Sequence, residues 1–94
     1  MWRPVFTNAF LKSLKKLDHR RKGQVKEAVK AYLHYLETME KSAGLGLKRM
    51  RVKIWEIRVN ISDRILFEMD DHNHIVEFLI VGNHAEIRKF LKGR

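Results

Sequence analysis

The chain contains no cysteine and a single proline in 94 residues. The missing thiols exclude disulfide staples, thiol nucleophiles and thiolate metal sites, and they suit a reducing compartment. Stability must then come from packing. Long hydrophobic runs are missing as well. No segment approaches the roughly 18 residues needed to span a bilayer, and Met1-Trp2-Arg3-Pro4 opens no apolar stretch of signal-peptide length, which reads as a cytoplasmic chain. The length suffices for about one core, so a two-domain enzyme is excluded and one domain over residues 1–94 is expected.

Acidic residues are scarce: 11 Asp and Glu stand against 20 Lys and Arg, a formal charge of +9 with histidines neutral. Such an excess points to a polyanionic partner. It is concentrated in two segments. One runs from Lys12 to Lys30 and includes Lys15, Lys16, Arg20, Arg21, Lys22 and Lys26. The other comprises Lys48, Arg49, Arg51, Lys53, Arg58 and Arg64. Hydrophobic residues at 45% and charged residues at 33% place the chain among folding globular proteins rather than membrane or disordered ones.

Trp2, Pro4 and Phe6 alternate with Arg3 and Val5, a short first strand in which Pro4 is tolerable at a sheet edge. Thr7 or Asn8 supplies an N-cap, and Phe10, Leu14 and Leu17 repeat at helical spacing. Asp18 or a neighbour caps a second helix carrying Val25, Val29, Tyr32, Leu33, Leu36 and Met39, which the Ser42-Ala43-Gly44-Leu45-Gly46 stretch ends. This helix places Arg20, Arg21, Lys22 and Lys26 near its N-terminus, against the macrodipole. Either these are solvated side chains or an anion offsets the cost.

After Gly46 the period changes to two. Trp55, Ile57 and Val59 alternate with Glu56, Arg58 and Asn60, predicting a strand with a buried and a polar face. A turn at Ser62-Asp63 leads to a strand from Arg64 to Met69. The Asp70-to-Asn73 turn leads to Ile75–Val81, whose apolar residues on both parities predict a central strand. Gly82-Asn83 breaks it, and His84 to Lys92 reads as a closing helix. The expected class is α+β: a strand and a two-helix hairpin packed on a mainly antiparallel four- to five-stranded sheet, with a C-terminal helix. The expected core joins Phe10, Leu14, Val29, Leu33, Leu36, Trp55, Ile57, Phe67, Leu79 and Ile80 to one sheet face.

No glycine loop for phosphate and no nucleophile elbow is recognisable. His72 and His74 beside Asp70 or Asp71 have no convincing metal spacing. Any chemistry must use acids, bases and histidine directly. Glu56 and Arg58 lie about 7 Å apart on the polar strand face, and pairing through the short turn brings Arg58 close to Arg64. Two adjacent arginines suit a phosphate, since each guanidinium offers planar bidentate donors; an ion pair of Arg58 with Glu56 or Glu68 is the other possibility. His84 lies where the buried strand gives way to a helix, a position that suits either proton transfer or simple capping.

The runs Ile54-Trp55-Glu56-Ile57-Arg58-Val59-Asn60, Asp63-Arg64-Ile65-Leu66-Phe67-Glu68 and Ile80-Val81-Gly82-Asn83-His84 resemble the RelE/ParE superfamily of toxins from type II toxin–antitoxin systems. They are similar to its aromatic-x-aliphatic-Arg-Val run, its "yRilf" strand and its core strand ending at a basic or histidine position. The resemblance implies a RelE-like microbial RNase fold. For the RelE branch it implies metal-independent cleavage of messenger RNA, often on the ribosome, by attack of the messenger's own 2′-hydroxyl. It assigns Arg58, Arg64, His84 and Glu56 to catalysis, although Glu56 stands where some members have Lys, Ala85 where some have an acid, and Phe90 lacks the hydroxyl of the usual C-terminal Tyr. Lys22, Lys26, Lys48, Arg49, Arg51 and Lys53 become the expected RNA contacts. The implied partners are messenger RNA, the ribosome and a cognate antitoxin; no cofactor or metal is implied. The ParE branch, which poisons DNA gyrase, and a non-catalytic basic RNA- or ribosome-binding module are the alternatives.

Overall fold

Two capping side chains set where the first helices begin. Thr7 follows strand β1 (Arg3–Phe6) and accepts a hydrogen bond from the Phe10 N–H at 3.0 Å, which starts α1 (Asn8–Lys15). Its hydroxyl also reaches the carbonyls of Phe78 and Leu79, tying this joint to the sheet. Asp18 accepts from the Arg21 N–H at 2.8 Å and starts α2 (His19–Thr38). Both caps satisfy N–H groups that a helix leaves without internal partners. The computed structural model describes residues 1–40 and 44–94. Helix α2 ends earlier than the hydrophobic repeat suggests, with Met39 in the left-handed conformation as its C-cap. The expected stop at Gly44 to Gly46 therefore comes too late, and Ser42 and Ala43 lie outside the described residues.

Strands β2 (Lys48–Arg49), β3 (Ile54–Arg58), β4 (Arg64–Asp70) and β5 (Ile75–Gly82) follow, and α3 (His84–Lys92) closes the chain. The strand order is β1-β5-β4-β3-β2, antiparallel except for β1 against β5. Pro4 sits on the edge strand, where its missing N–H leaves no interior sheet hydrogen bond unmade. Strand β5 lies between β1 and β4, as its two-sided apolar pattern predicts. Among the described residues no helix is long and apolar enough to cross a membrane.

The sheet buries both faces. On one, α1 and α2 cover Ile57, Ile65, Phe67, Val76, Phe78 and Val81, together with Phe10, Val25, Val29 and Tyr32. On the other, α3 covers Ile54, Leu66, Leu79 and Ile87, with Ile80, Phe90 and Leu91 at the margin. This corrects the expected core, because Leu79 and Ile80 pack under α3 rather than under the helix hairpin. A register shift is the reason: Leu66 faces Ile80 while Phe67 faces Phe78, so Leu79 is an extra residue on β5. Such a bulge re-aims the side chains that follow it. Trp55 is only partly buried, at the margin of the larger core.

Candidate functional site

The β3–β4 hairpin places Arg58 directly opposite Arg64, and β5 places Gly82 opposite Arg64. Cross-strand neighbours share a face, with Cα atoms about 4.5–5.5 Å apart, so the two arginines stand side by side as their spacing predicts. On the outer flank, Gly46 has a positive φ of 59°, and a Cβ there would lie 2.9 Å from the Arg58 Cβ. The Arg58 N–H donates to the Leu45 carbonyl at 2.9 Å, which holds this close approach. Only glycine meets both demands. A glycine therefore flanks the arginine pair on each side.

Glu56 is two residues before Arg58 on the same face, but it is not solvated. It is 4% exposed, although the alternation reads its face as polar; the same face carries Ile54 and Leu66, which pack with Ile87 of α3. Its partner is Arg64, with Nε 3.7 Å from Oε1. That distance makes an ion pair without a hydrogen bond, and neither atom has a hydrogen-bond partner among the described residues. Arg58 is exposed and makes no ion pair among the described residues. The expected alternative of an Arg58 pair with Glu56 or Glu68 is thus not what forms. Glu68 instead meets Arg94 at 3.0 Å.

His84 is the first residue of α3 and exposed, two positions beyond Gly82. It does not cap the helix. Asn83 does, accepting from the Glu86 N–H at 2.9 Å while Glu86 Oε1 accepts from the Asn83 N–H at 2.8 Å, a reciprocal capping box. The Glu86 side chain lies over Gly82, where a Cβ would stand 2.8 Å from its Oε1. With capping assigned elsewhere, the His84 imidazole is left to solvent at the same end of the sheet as the arginine pair. The Asn83-to-Glu86 spacing was a readable capping signal that the sequence reading passed over.

A second feature absent from the sequence reading braces this end. Arg21 donates from Nε and Nη2 to Asp63 at 2.8 and 2.7 Å, and the Asn60 amide donates to the same carboxylate at 2.8 Å. Asp63 is fully buried, yet its carboxyl is held below the usual range, chiefly by the Arg21 hydrogen bonds and secondarily by Asn60, against the opposing effect of burial. Arg21 thus finds its anion inside the protein, and one of the charges that oppose the α2 dipole is offset by Asp63. It also fixes the β3–β4 turn, and with it the register of Arg58 on Arg64.

The remaining basic residues divide. Lys22 and Lys26, with Lys30, border an apolar groove of about 470 Å³ between α1 and α2, lined by Phe10, Leu14 and Val25, on the sheet face opposite the arginine pair. Lys48 stands across from Glu56 on the edge strand. Arg49 donates to the Arg51 and Val52 carbonyls, and Arg51 donates to the Leu91 carbonyl at 2.6 Å, near the end of α3. Lys53 is exposed in the same loop. The β4–β5 turn is closed by Asp70, which accepts from the His72 and Asn73 N–H groups and from the Asn73 amide. Among the described residues no group of three or more His, Asp or Glu side chains is disposed to hold a metal ion.

No family model and no curated protein matches the sequence. Solved structures do. The toxin–antitoxin complex RelBE2 from Mycobacterium tuberculosis matches with a TM-score of 0.67 and 22% identity, over 88% of this chain and 98% of that one. A mutant of YafQ from E. coli matches with a TM-score of 0.74 and 13% identity, over 93% and 98%. A YoeB/ParE toxin from Agrobacterium tumefaciens matches at 0.67 and 12%, over 87% and 98%. The chain has the RelE-like toxin fold. In this RelE-like fold the element order runs as the sequence predicts, a first strand, a helix pair, antiparallel strands and a terminal helix, and the structure adds that β1 runs parallel to β5.

Proposed function

We propose that the chain is the toxin of a type II toxin–antitoxin pair and a metal-independent endoribonuclease that cuts ribosome-bound messenger RNA and so inhibits translation in the cytoplasm. The observation that carries this reading is the pair Arg58 and Arg64, side by side between two glycines, with the exposed His84 two residues beyond the end of the same row. Two neighbouring guanidinium groups, of which only that of Arg64 is paired with a carboxylate, leave a net positive site for a phosphate. In the proposed reaction the 2′-hydroxyl oxygen attacks the neighbouring phosphorus. The new O2′–P bond forms as the P–O5′ bond breaks, the 2′ proton leaves and the 5′ oxygen gains one. Arg58 and Arg64 stabilise the charge on the five-coordinate phosphorus, and His84 moves a proton. Glu56 is largely buried and paired with Arg64, so in this reading it positions Arg64.

The antitoxin belongs to the groove between α1 and α2. Its apolar floor and the lysine rim of Lys22, Lys26 and Lys30 at one-turn spacing suit an amphipathic helix with acidic flanks. The M. tuberculosis structure is itself a toxin–antitoxin complex, which supports such a partner. The deciding experiment incubates the purified chain with programmed ribosomes in the presence of a chelator and maps messenger cleavage, with gyrase supercoiling assayed in parallel. Cleavage supports the nuclease reading; gyrase inhibition without cleavage replaces it by the ParE-like one, and RNA retention with neither by a binding module.

A further inference from the structure

A second pocket of about 380 Å³ lies at the other end of the sheet, on the face that α2 covers, away from Arg58 and Arg64. Its walls include Trp2, Tyr35 and Trp55, and its rim carries Arg49, Lys53 and a single acid, Asp71. The three aromatic rings are partly exposed, a costly arrangement for large apolar groups unless something covers them. They are also held in place. Trp2 stacks on His74 with ring centres 4.9 Å apart and planes at 14°, and its backbone N–H donates to the Glu37 carboxylate at 3.3 Å. Arg49 lies 5.7 Å over the Trp55 ring while donating to two loop carbonyls.

Rigid aromatic walls with cations at the mouth match one chemistry well: a flat heteroaromatic ring attached to a phosphate. We propose that this pocket takes one unpaired base of a single-stranded RNA, stacked on the aromatic walls, with the adjoining phosphate held by Arg49 and Lys53. Asp71 supplies an acceptor for a ring or exocyclic N–H of the base. The pocket rests on the reading of RNA as substrate and deepens it, since it fixes a nucleotide remote from the scissile phosphate.

The path between the two places is short. Trp55 precedes Arg58 by three residues, about 10 Å along the strand and on the opposite face. An RNA strand joining them must pass round the β2 edge, which is two residues long and consists of Lys48 and Arg49. Lys48 shares the Glu56 face and Arg49 the Trp55 face, so the edge offers a cation to each side.

Both tryptophans of the chain line this pocket, so their emission reports on it directly. The test titrates the full chain with a single-stranded pentanucleotide carrying 2′-O-methyl groups, which resists cleavage. A saturable change in tryptophan emission is expected, together with about tenfold weaker binding in Arg49→Gln and in Tyr35→Leu. Arg49 is exposed on an edge strand, so its variant keeps the test alive if Tyr35→Leu unfolds. The proposal is overturned if RNA binds without changing the emission, if a duplex of equal length produces the same change, or if Arg49→Gln binds as tightly as wild type. Cleavage with no emission change sinks the pocket alone. An emission change from a chain that never cleaves leaves the pocket standing and sinks the nuclease reading.

Discussion

Arg64 lies 3.7 Å from the Glu56 carboxylate, whereas Arg58, directly across from Arg64, has no acidic partner among the described residues. Two arginines of the same row therefore differ in what their loss does. Arg64→Ala leaves Glu56 buried and unpaired, which is expected to cost about 2–3 kcal/mol, at or below the low end for a broken buried pair because no hydrogen bond is lost. Arg58→Ala, at an exposed position, should change stability by less than about 0.5 kcal/mol. Urea unfolding of the two variants measures this contrast.

Binding, unlike stability, should treat the two alike. Both arginines point a charge at the same proposed phosphate, so each substitution should weaken RNA binding and flatten its salt dependence. The expected slope for single-stranded RNA is about −0.7 per phosphate contacted, so one lost contact should reduce its magnitude by about 0.7. Affinity of the wild-type chain that stays constant between low and moderate salt would show that phosphates are not what it binds.

The Asp63 carboxyl titrates below its ordinary range because Arg21 and Asn60 donate to its charged form. A lowered folded-state value means a contribution to stability that is complete above the unfolded value of about 3.9 and is lost as the pH falls through the folded one. Asp63→Asn should therefore melt below wild type at pH 7, by about 1–3 kcal/mol given that Arg21 remains partly solvated. The gap between the two melting curves should close as the pH is lowered below about 4. A gap that persists unchanged at pH 2 would mean that Asp63 acts through shape and not charge.

Much of this arrangement was legible from residue spacing. The period-two run at Trp55 gave the parity of β3, and the four-residue turn gave the approach of Arg58 to Arg64. The two caps, Thr7 and Asp18, follow from local side-chain chemistry alone. What local pattern cannot contain is the long-range pairing. Glu56 reads as polar and outward, yet it is buried and paired with Arg64 of the next strand. Leu79 and Ile80 change partners because of a bulge that leaves no mark in an unbroken apolar run. Arg21 and Asp63 are 42 residues apart, and their contact needs the whole hairpin in place.

The same distinction sets the cost of core substitutions. Trp55 looks fully buried from its alternation and would then cost about 3–5 kcal/mol on truncation, but it lies at the core margin beside the open pocket. Trp55→Ala should cost only about half as much. Phe67 and Phe78 are fully buried and packed on each other with ring centres 5.9 Å apart. Phe67→Ala should reach the full range of about 3–5 kcal/mol. Calorimetric or urea unfolding that ranks Trp55→Ala as the worse of the two would contradict this placement of the core.

The proposed chemistry turns on His84, whose surroundings separate catalysis from folding. It is exposed and the helix behind it is capped by Asn83 and Glu86, so its removal breaks no side-chain hydrogen bond or ion pair among the described residues. His84→Ala should keep the wild-type melting temperature and most RNA affinity. Its cleavage of ribosome-bound messenger should fall by about 10²-fold or more, because a proton-transfer group acts chiefly in the transition state. Arg58→Ala differs in kind: it should lower affinity and rate together, since a guanidinium meets the phosphate in ground and transition states alike. Chelator should leave wild-type cleavage unchanged, as the reaction proposed moves only protons and one phosphoryl bond. A His84→Ala chain that cleaves as fast as wild type would remove the histidine from the mechanism and leave the arginine pair as a phosphate-binding site alone.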